Sequence, residues 1–341
     1  VPAASSGNIL FSALVGKAEG TAGTSPSFAS GGRKFLVEPT GLITLGRSWE
    51  IGEERSVALR NPIIATTATL TANEPELSVS VPAVSIDEMS VWLGMAFSPT
   101  ITGTAAPYNW TFQPSMGTAS NSPTSYSFIS MDAQGGTAAG GNAYLLNYCL
   151  PTEISITADR SGLTALSATL FAQNVAETTT NPAAATAVPT SKFLSGRLWN
   201  VATGTALATG TFTDFQYALD FSLTMQTGIV RQAYLAGTTS FSTHAESAAI
   251  GGELSMTIQS NANASAKWFQ KLGQQQFVKL AWTDGTYSAT INTSIIVTEV
   301  VPIAGSEDGL TTMTVTGRLA YDPVSASSIK IVVENAISAL P

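Results

Sequence analysis

Gly162-Leu163-Thr164-Ala165-Leu166-Ser167-Ala168-Thr169 and Gly309-Leu310-Thr311-Thr312-Met313-Thr314-Val315-Thr316 read as two copies of one stretch, 147 positions apart. Gly matches Gly, Leu matches Leu, Thr matches Thr, and similar residues fill most other places. A second pair supports the first. Leu77-Ser78-Val79-Ser80-Val81 leads into an apolar stretch with Trp92, and Leu254-Ser255-Met256-Thr257-Ile258, 177 positions on, leads into one with Trp268. Each half therefore carries a strand, a helix and a closing hairpin in that order. The fall of the offset from 177 to 147 leaves the first half about 30 extra residues between helix and hairpin. A tandem pair of β-rich units suits symmetric assembly better than catalysis.

Composition points the same way. At 341 residues the chain can hold two domains, yet only 11% of its residues are charged, against about a quarter in an ordinary soluble protein. With 44% hydrophobic residues, it lacks the charged coat that keeps monomers apart, so burial of neutral surface between subunits is expected. The net charge is −8, from 15 basic and 23 acidic residues. No Lys or Arg falls between Arg60 and Arg160, whereas Glu74, Glu76, Asp87, Glu88, Asp132, Glu153 and Asp159 do. Tight nucleic-acid binding is not expected of such a chain, although a wall past which DNA slides without sticking is compatible with it. Cys149 is the only cysteine, which excludes an intrachain disulfide and a Cys-based zinc site. No basic run precedes Ile9-Leu10-Phe11, and no segment reaches the roughly 18 apolar residues of a membrane span, so neither an export signal nor a transmembrane helix is expected.

Along the chain, residues 1–34 are rich in Gly, Ser and Ala, the profile of an arm that orders against a partner. Residues 35–175 read as a first module. Strands are expected at 42–45, 63–70 and 77–81, with the charged hairpin loop Glu50 to Arg60 between the first two. Ser85 followed by Glu88 forms a capping box, placing Met89, Trp92, Leu93 and Ala96 on one face of a helix near 85–96. Residues 98–148 form a Gly/Pro/Ser/Thr-rich insert, and residues 153–157 and 163–171 flank the turn Asp159-Arg160-Ser161-Gly162. Residues 176–192 read as a linker, 193–323 as a second module and 324–341 as a C-terminal tail with a strand at 329–333. In the second module, residues 212–225 alternate, 254–258 is a strand and 261–272 a helix. Asp284-Gly285 suits a type I′ hairpin turn, and residues 295–301 and 310–319 close the module around Ser306-Glu307-Asp308-Gly309.

Catalytic chemistry is not expected. The only histidine, His244, has Glu246 nearby but no further ligand or nucleophile in sequence, and no phosphate-binding, dinucleotide or metalloprotease motif occurs. The acidic pairs Glu53-Glu54, Asp87-Glu88 and Glu307-Asp308 fit a loop tip, a helix first turn and a hairpin turn better than facing glycosidase carboxylates. Trp92 and Trp268 are expected to anchor the two module cores. No metal or cofactor is implied.

With this element order, and with Gly16-Lys17-Ala18-Glu19-Gly20-Thr21-Ala22-Gly23-Thr24 looking like a G-x-E-x-x-x-G-T start, from which it departs by one extra residue between Gly16 and Glu19, the chain resembles the major tail tube proteins of long, non-contractile-tailed bacteriophages. It resembles the two-module kind, in which three chains make a pseudo-sixfold ring. The resemblance implies a mainly β fold of two tandem β-sandwich tube modules, each with one flanking helix. It also implies a structural virion protein without enzymatic activity, assembled in the host cytoplasm, whose stacked rings hold a tape-measure protein and later pass double-stranded DNA. Under that reading Glu74, Glu76, Glu153 and Glu253 are candidates for an acidic lumen, and Glu50, Glu53, Glu54, Arg55 and Arg60 for a ring-stacking loop. The alternative is a secreted or cell-surface β-sandwich adhesin.

Overall fold

In a computed structural model, the described residues are 13–28, 32–38, 43–53, 63–117, 119–131, 143–178, 186–187, 192–207, 210–215, 217–235, 238–246, 250–261, 268–307 and 309–340. The first part of the chain forms β1 (Ala13–Ala18), β2 (Arg33–Phe35), β3 (Ile43–Thr44), β4 (Arg47–Glu53), β5 (Ile63–Asn73), β6 (Glu76–Val81) and α1 (Ile86–Ala96). It continues with β7 (Thr100–Thr102), β8 (Tyr108–Phe112), β9 (Tyr126–Met131), β10 (Ala143–Asp159), β11 (Ala165–Phe171), β12 (Asn174–Glu177) and β13 (Thr186–Ala187). The second part adds β14 (Trp199–Gly204), β15 (Phe212–Asp214), β16 (Ala218–Gln226), β17 (Ile229–Gln232), β18 (Thr243–Glu246) and β19 (Gly251–Gln259). It ends with β20 (Gln275–Thr283), β21 (Ser288–Glu307), β22 (Leu310–Leu319) and β23 (Ile329–Asn335). The protein is mainly β, and α1 is the one α-helix among the elements described.

The same neighbours recur in both parts. β1 joins β2 and β9 as β14 joins β15 and β20. β6 pairs with β11 through Leu77↔Leu170 and Val79↔Ala168, and β19 pairs with β22 through Leu254↔Gly317 and Met256↔Val315. The offsets of 177 and 147 read from the sequence thus describe one register twice. β10 and β21 are long because each serves two sets of neighbours. β10 lies between β9 and β12 in its first part, and between β11 and β16 in its second. β21 lies between β20 and β23, then alongside β22. The ladder from Glu153↔Gln226 to Asp159↔Asp220 joins the two parts edge to edge. One antiparallel sheet therefore runs β6-β11-β10-β16-β19-β22-β21.

Strict alternation makes this sheet two-faced, because successive side chains of a strand point to opposite sides. Val79, Ile154, Ile156, Leu166, Leu223, Leu254, Met256 and Val315 are buried in the same core cluster. Over that core lies α1. Its N-cap is Ser85, whose hydroxyl accepts the Glu88 amide at 3.1 Å. Glu88 in turn accepts the Leu36 amide at 3.2 Å. All eleven helix residues are buried, not only the Met89, Trp92, Leu93 and Ala96 stripe. Asp87 is satisfied by the Ala336 amide at 2.8 Å and Ser90 by Asn335 at 2.6 Å.

The Gly16 to Thr24 stretch has a structural explanation. Glu19 is buried and its carboxylate accepts four hydrogen bonds: from the Gly23 and Tyr148 amides at 2.8 Å each, Ser125 Oγ at 2.8 Å and Ser127 Oγ at 2.6 Å. Gly23 turns back at φ +78°, where a side chain would be strained. Gly16 lies against two rings: a Cβ there would sit 2.6 Å from Phe128 and 2.8 Å from Phe35. Tyr148 itself has φ 54°, at the point where the β9–β10 register shifts.

Several boundaries differ from the sequence reading. Part of the segment 1–34 is sheet, as β1 and β2, while residues 1–12 lie outside the described ones. The strand expected at 329–333 is present as β23, but it is no free tail, being paired with both β21 and β8. The insert 98–148 holds β7, β8, β9 and the start of β10. Within the linker, β13 pairs in parallel with β2. The run 212–225 is broken into β15 and β16. Of the expected helix 261–272, residues 262–267 lie outside those described, and Phe269–Lys271 is a 3-10 turn. Asp284-Gly285 does not make a two-residue turn: with Thr283↔Ser288 paired, the loop has four residues, and Asp284 Oδ1 accepts the Thr286 and Tyr287 amides. The two-residue connection is at 308–309, where Glu307 pairs with Leu310.

Because Glu19→Ala strips four buried donors of their acceptor, it should lower stability by about 3 kcal/mol or more in urea unfolding. Glu19→Gln should recover only part, since its amide nitrogen must face donors.

Candidate functional site

Six strands of the seven-stranded sheet, all but β21, coat its outer face with hydroxyls. Ser78 and Ser80 on β6, Ser167 and Thr169 on β11, Ser155 and Thr157 on β10, Ser222 and Thr224 on β16, Ser255 and Thr257 on β19, and Thr314 and Thr316 on β22 alternate with the buried apolar set. The Ser155 and Thr224 hydroxyls meet at 3.2 Å across the joint between the two parts. Scattered among them by the same alternation are Glu76, Glu153, Asp159, Asp220 and Glu253, against Arg318 on β22. Asp159 is held below the usual carboxylate range by donors from the Ser161 hydroxyl and amide. A solvent-facing sheet surface ordinarily carries long charged side chains as well. This one is short, neutral to acidic and hydrogen-bonding.

The four candidate lumen carboxylates do not form one patch. Glu153 and Glu253 flank β16, opposite Gln226 and Thr224 respectively. Glu253 also stands opposite Arg318. Glu74 and Glu76 instead share one guanidinium: Arg231 Nη1 lies 3.2 Å from Glu74 and Nη2 3.1 Å from Glu76. Arg231 also stacks 5.4 Å above Phe171. It comes from β17, about 155 positions away in sequence, and no local signal marks it as their partner.

Glu50 and Glu53 lie on β4, paired with Thr69 and Ile63 of β5, whereas Glu54, Arg55 and Arg60 lie outside the described residues. A second hairpin, β17–β18, occupies the matching place between β16 and β19. Sequence reasoning missed it. Asn73 ties the hairpins together, donating its amide N–H to the Thr239 carbonyl at 2.9 Å. Tyr234 and Leu235 are exposed beyond the end of β17.

Trp92 and Trp268 are both fully buried. Trp92 packs on Phe35 at 5.0 Å and on Phe128 at 6.0 Å, while Trp268 packs edge-on to Phe215 at 6.1 Å. Phe35 closes β2 and Phe215 follows β15, so the two tryptophans meet corresponding partners.

The titratable groups do not converge on a reaction centre. His244 Nδ1 lies 2.9 Å from the Tyr148 hydroxyl, and partial burial lowers its pKa. Glu246 is used by Ser120 Oγ at 2.5 Å and the Asn121 amide at 2.7 Å. Burial, with Glu19 nearby, pushes the Cys149 thiol up, which leaves it inert. A cavity of about 680 Å³ at one end of the sheet is lined by Arg160, Arg197, Trp199, Asp220, Phe221 and Glu307. Arg160 bonds Glu307 at 3.0 Å, Arg197 Nε donates to the Arg160 carbonyl at 3.1 Å, and Asp220 accepts the Thr257 amide at 3.2 Å. Among the described residues no group of His, Cys, Asp and Glu could hold a metal, and no helix is long and apolar enough to cross a membrane. No protein-family model matches the chain, and no curated protein matches it in sequence.

Glu88 yields a prediction. Burial raises its pKa from 4.5 to about 7, against the lowering effects of the Leu36 amide and Trp92. The folded state therefore holds this proton more tightly than the unfolded chain does. The stabilising contribution is complete below pH 4.5 and is lost as pH rises through 7. Glu88→Gln, which keeps an acceptor for Leu36, should be more stable than the parent at pH 8, by up to about 3 kcal/mol. The gap should close towards pH 5 in urea titrations across that range.

Proposed function

We propose that this chain is a structural subunit that polymerises, as a tail tube protein of the two-module kind. Three copies close into a ring, and rings stack into a conduit for DNA. The observation that carries the reading is the continuous sheet that joins both halves, apolar on one side and hydroxyl-coated on the other. Its pairing pattern, repeated in the two halves, supports two tandem tube modules. Six such modules around an axis would turn six hydroxyl faces to a common lumen and leave no strand edge open.

The chemistry of that face suits passage of DNA. Duplex DNA carries a phosphate charge about every 1.7 Å of axis, so a wall rich in Lys or Arg would grip it through counterion release. Glu153, Asp159, Asp220 and Glu253 repel it instead, and short hydroxyls present no long cation. The tape-measure protein, as the occupant before DNA, and a place in the virion tail belong to the same proposal. The two hairpins β4–β5 and β17–β18 leave the sheet at corresponding places, which supports a role in stacking between rings.

Negative-stain images of concentrated purified protein test the reading. Rings with three chains by mass, or tubes, are expected. Dispersed monomers that bind glycans would favour an adhesin. Purified rings should also show no tight, salt-sensitive DNA binding. Shortening the 50–60 loop should leave rings intact and stop tube growth; tubes of normal length would refute the stacking role.

A further inference from the structure

We infer that the open edge of β21, from Glu299 to Val301, takes up Thr44 to Gly46 of a second copy of this chain, in the register already used inside the chain between β10 and β16. The inference rests on the ring reading above and adds the interface.

The internal joint supplies the template. Thr169 pairs with Glu153 on β10, and Thr316, 147 positions later, pairs with Glu299 on β21. Ala168↔Ile154 and Ser167↔Ser155 correspond in the same way to Val315↔Val300 and Thr314↔Val301. Glu299, Val300 and Val301 therefore stand where Glu153, Ile154 and Ser155 stand. The opposite edge corresponds too. Ile43↔Leu77 matches Leu223↔Leu254, so Thr44, Leu45 and Gly46 stand where Thr224, Met225 and Gln226 stand. In the internal joint these residues pair as Glu153↔Gln226, Ile154↔Met225 and Ser155↔Thr224.

Among the described residues of one chain, the second joint has no other strand. Beyond Val297, which bonds Gln274, β21 pairs with β22 alone among the described residues. β16 lies on the β9 side of β10, and the open side of β21 is the β20 side, which is the matching side. Burial shows the same vacancy on both edges. Met225 is 1% exposed in the internal joint, whereas its counterpart Leu45 is 46% exposed. Ile154 is fully buried, whereas Val300 is only half-buried, and Ile303 beyond it is 75% exposed. An apolar, unpaired edge in a chain with few charges is an aggregation hazard unless a partner covers it. Pairing Val300 with Leu45 covers both at once. The interface is head-to-tail, so repetition closes a ring only if the internal joint and the joint between chains together turn by one third of a circle.

The test is a pair of cysteines in one chain, Thr44→Cys with Val301→Cys. Residues directly opposite in an antiparallel pair have Cα atoms about 4.5–5.5 Å apart, within reach of a disulfide. Cys149 is buried and does not compete. Oxidation of assembled protein should give a covalent ladder ending in a closed trimer, whereas either single variant should stay monomeric on a non-reducing gel. Images of the reduced double variant check that it folds and assembles. Hydrogen exchange of the unmodified chain adds a measurement without substitutions: amides of 299–301 and 44–46 should gain protection on assembly. Rings without cross-linking and without that protection would overturn the register while leaving the ring reading standing. Cross-linking of Thr44→Cys with Ile303→Cys but not with Val301→Cys would also overturn it. Absence of any ring would overturn both.

Discussion

Strand β10 has to belong to two sets of neighbours, and the buried carboxylate of Glu19 is what allows the change. A backbone N–H that leaves its ladder inside a core must find another acceptor. At Tyr148 the chain turns through φ 54°, the β9 register slips, and the freed amide donates to Glu19. The remaining donors on that carboxylate, from Gly23, Ser125 and Ser127, hold the turn after β1 against β9. Upstream of this point β10 organises β9 and β12; downstream it presents the edge that receives β16. The joint between the two halves therefore depends on one charged side chain near the start of the chain. β21 makes the corresponding change with neutral groups: the Ser294 amide donates to the Ser328 carbonyl at 2.8 Å, and the Ser294 hydroxyl accepts from Gln275 at 2.7 Å.

The sparse charges are spent on placement. Arg231 gathers Glu74 and Glu76, and Arg160 holds Glu307. Asp87 and Glu88 lie buried in the first turn of α1, where they accept the Ala336 and Leu36 amides and so attach the end of the second half and the residue after β2 to the helix. The partly exposed pairs contribute little to stability; their effect is to orient hairpins. Between its few carboxylates the broad sheet face carries Ser and Thr, which accept water or a neighbouring chain at low desolvation cost compared with charges.

Much of this was legible in the sequence because it rests on local periodicity. The alternation of Leu77 to Val81 and Leu254 to Ile258, and the repeated Gly-Leu-Thr stretches, carried the right strands in the right register. Ser85 and Glu88 marked the start of α1. Trp92 and Trp268 are both buried. What was not legible depends on contacts distant in sequence. Glu19 looked like part of a short motif, and nothing near it reveals Ser125, Ser127 and Tyr148 as its donors. The two acidic residues at 74 and 76 looked free because Arg231 lies on another hairpin. Asp284-Gly285 was mistaken for a two-residue turn because the Asp side chain, by capping Thr286 and Tyr287, stabilises a longer loop than its dipeptide suggests.

The extra residues of the first half show why the two halves are not interchangeable. β8 pairs with β23 from Phe112↔Ile331 to Tyr108↔Asn335, and Trp110 Nε1 donates to the Ile337 carbonyl at 2.8 Å. The insert thereby fastens the end of the second half onto the helix of the first, where Asn335 and Ala336 meet Ser90 and Asp87. Within a chain, two ladders, β10–β16 and β8–β23, fix the angle between halves. On the ring reading, three of six joints are then formed before association, so three rigid bodies lose translational freedom rather than six. The angle set inside each chain then fixes the angle that the joint between chains must supply for the ring to close. The insert, remote from the hydroxyl face, would in that case set the curvature of the whole ring.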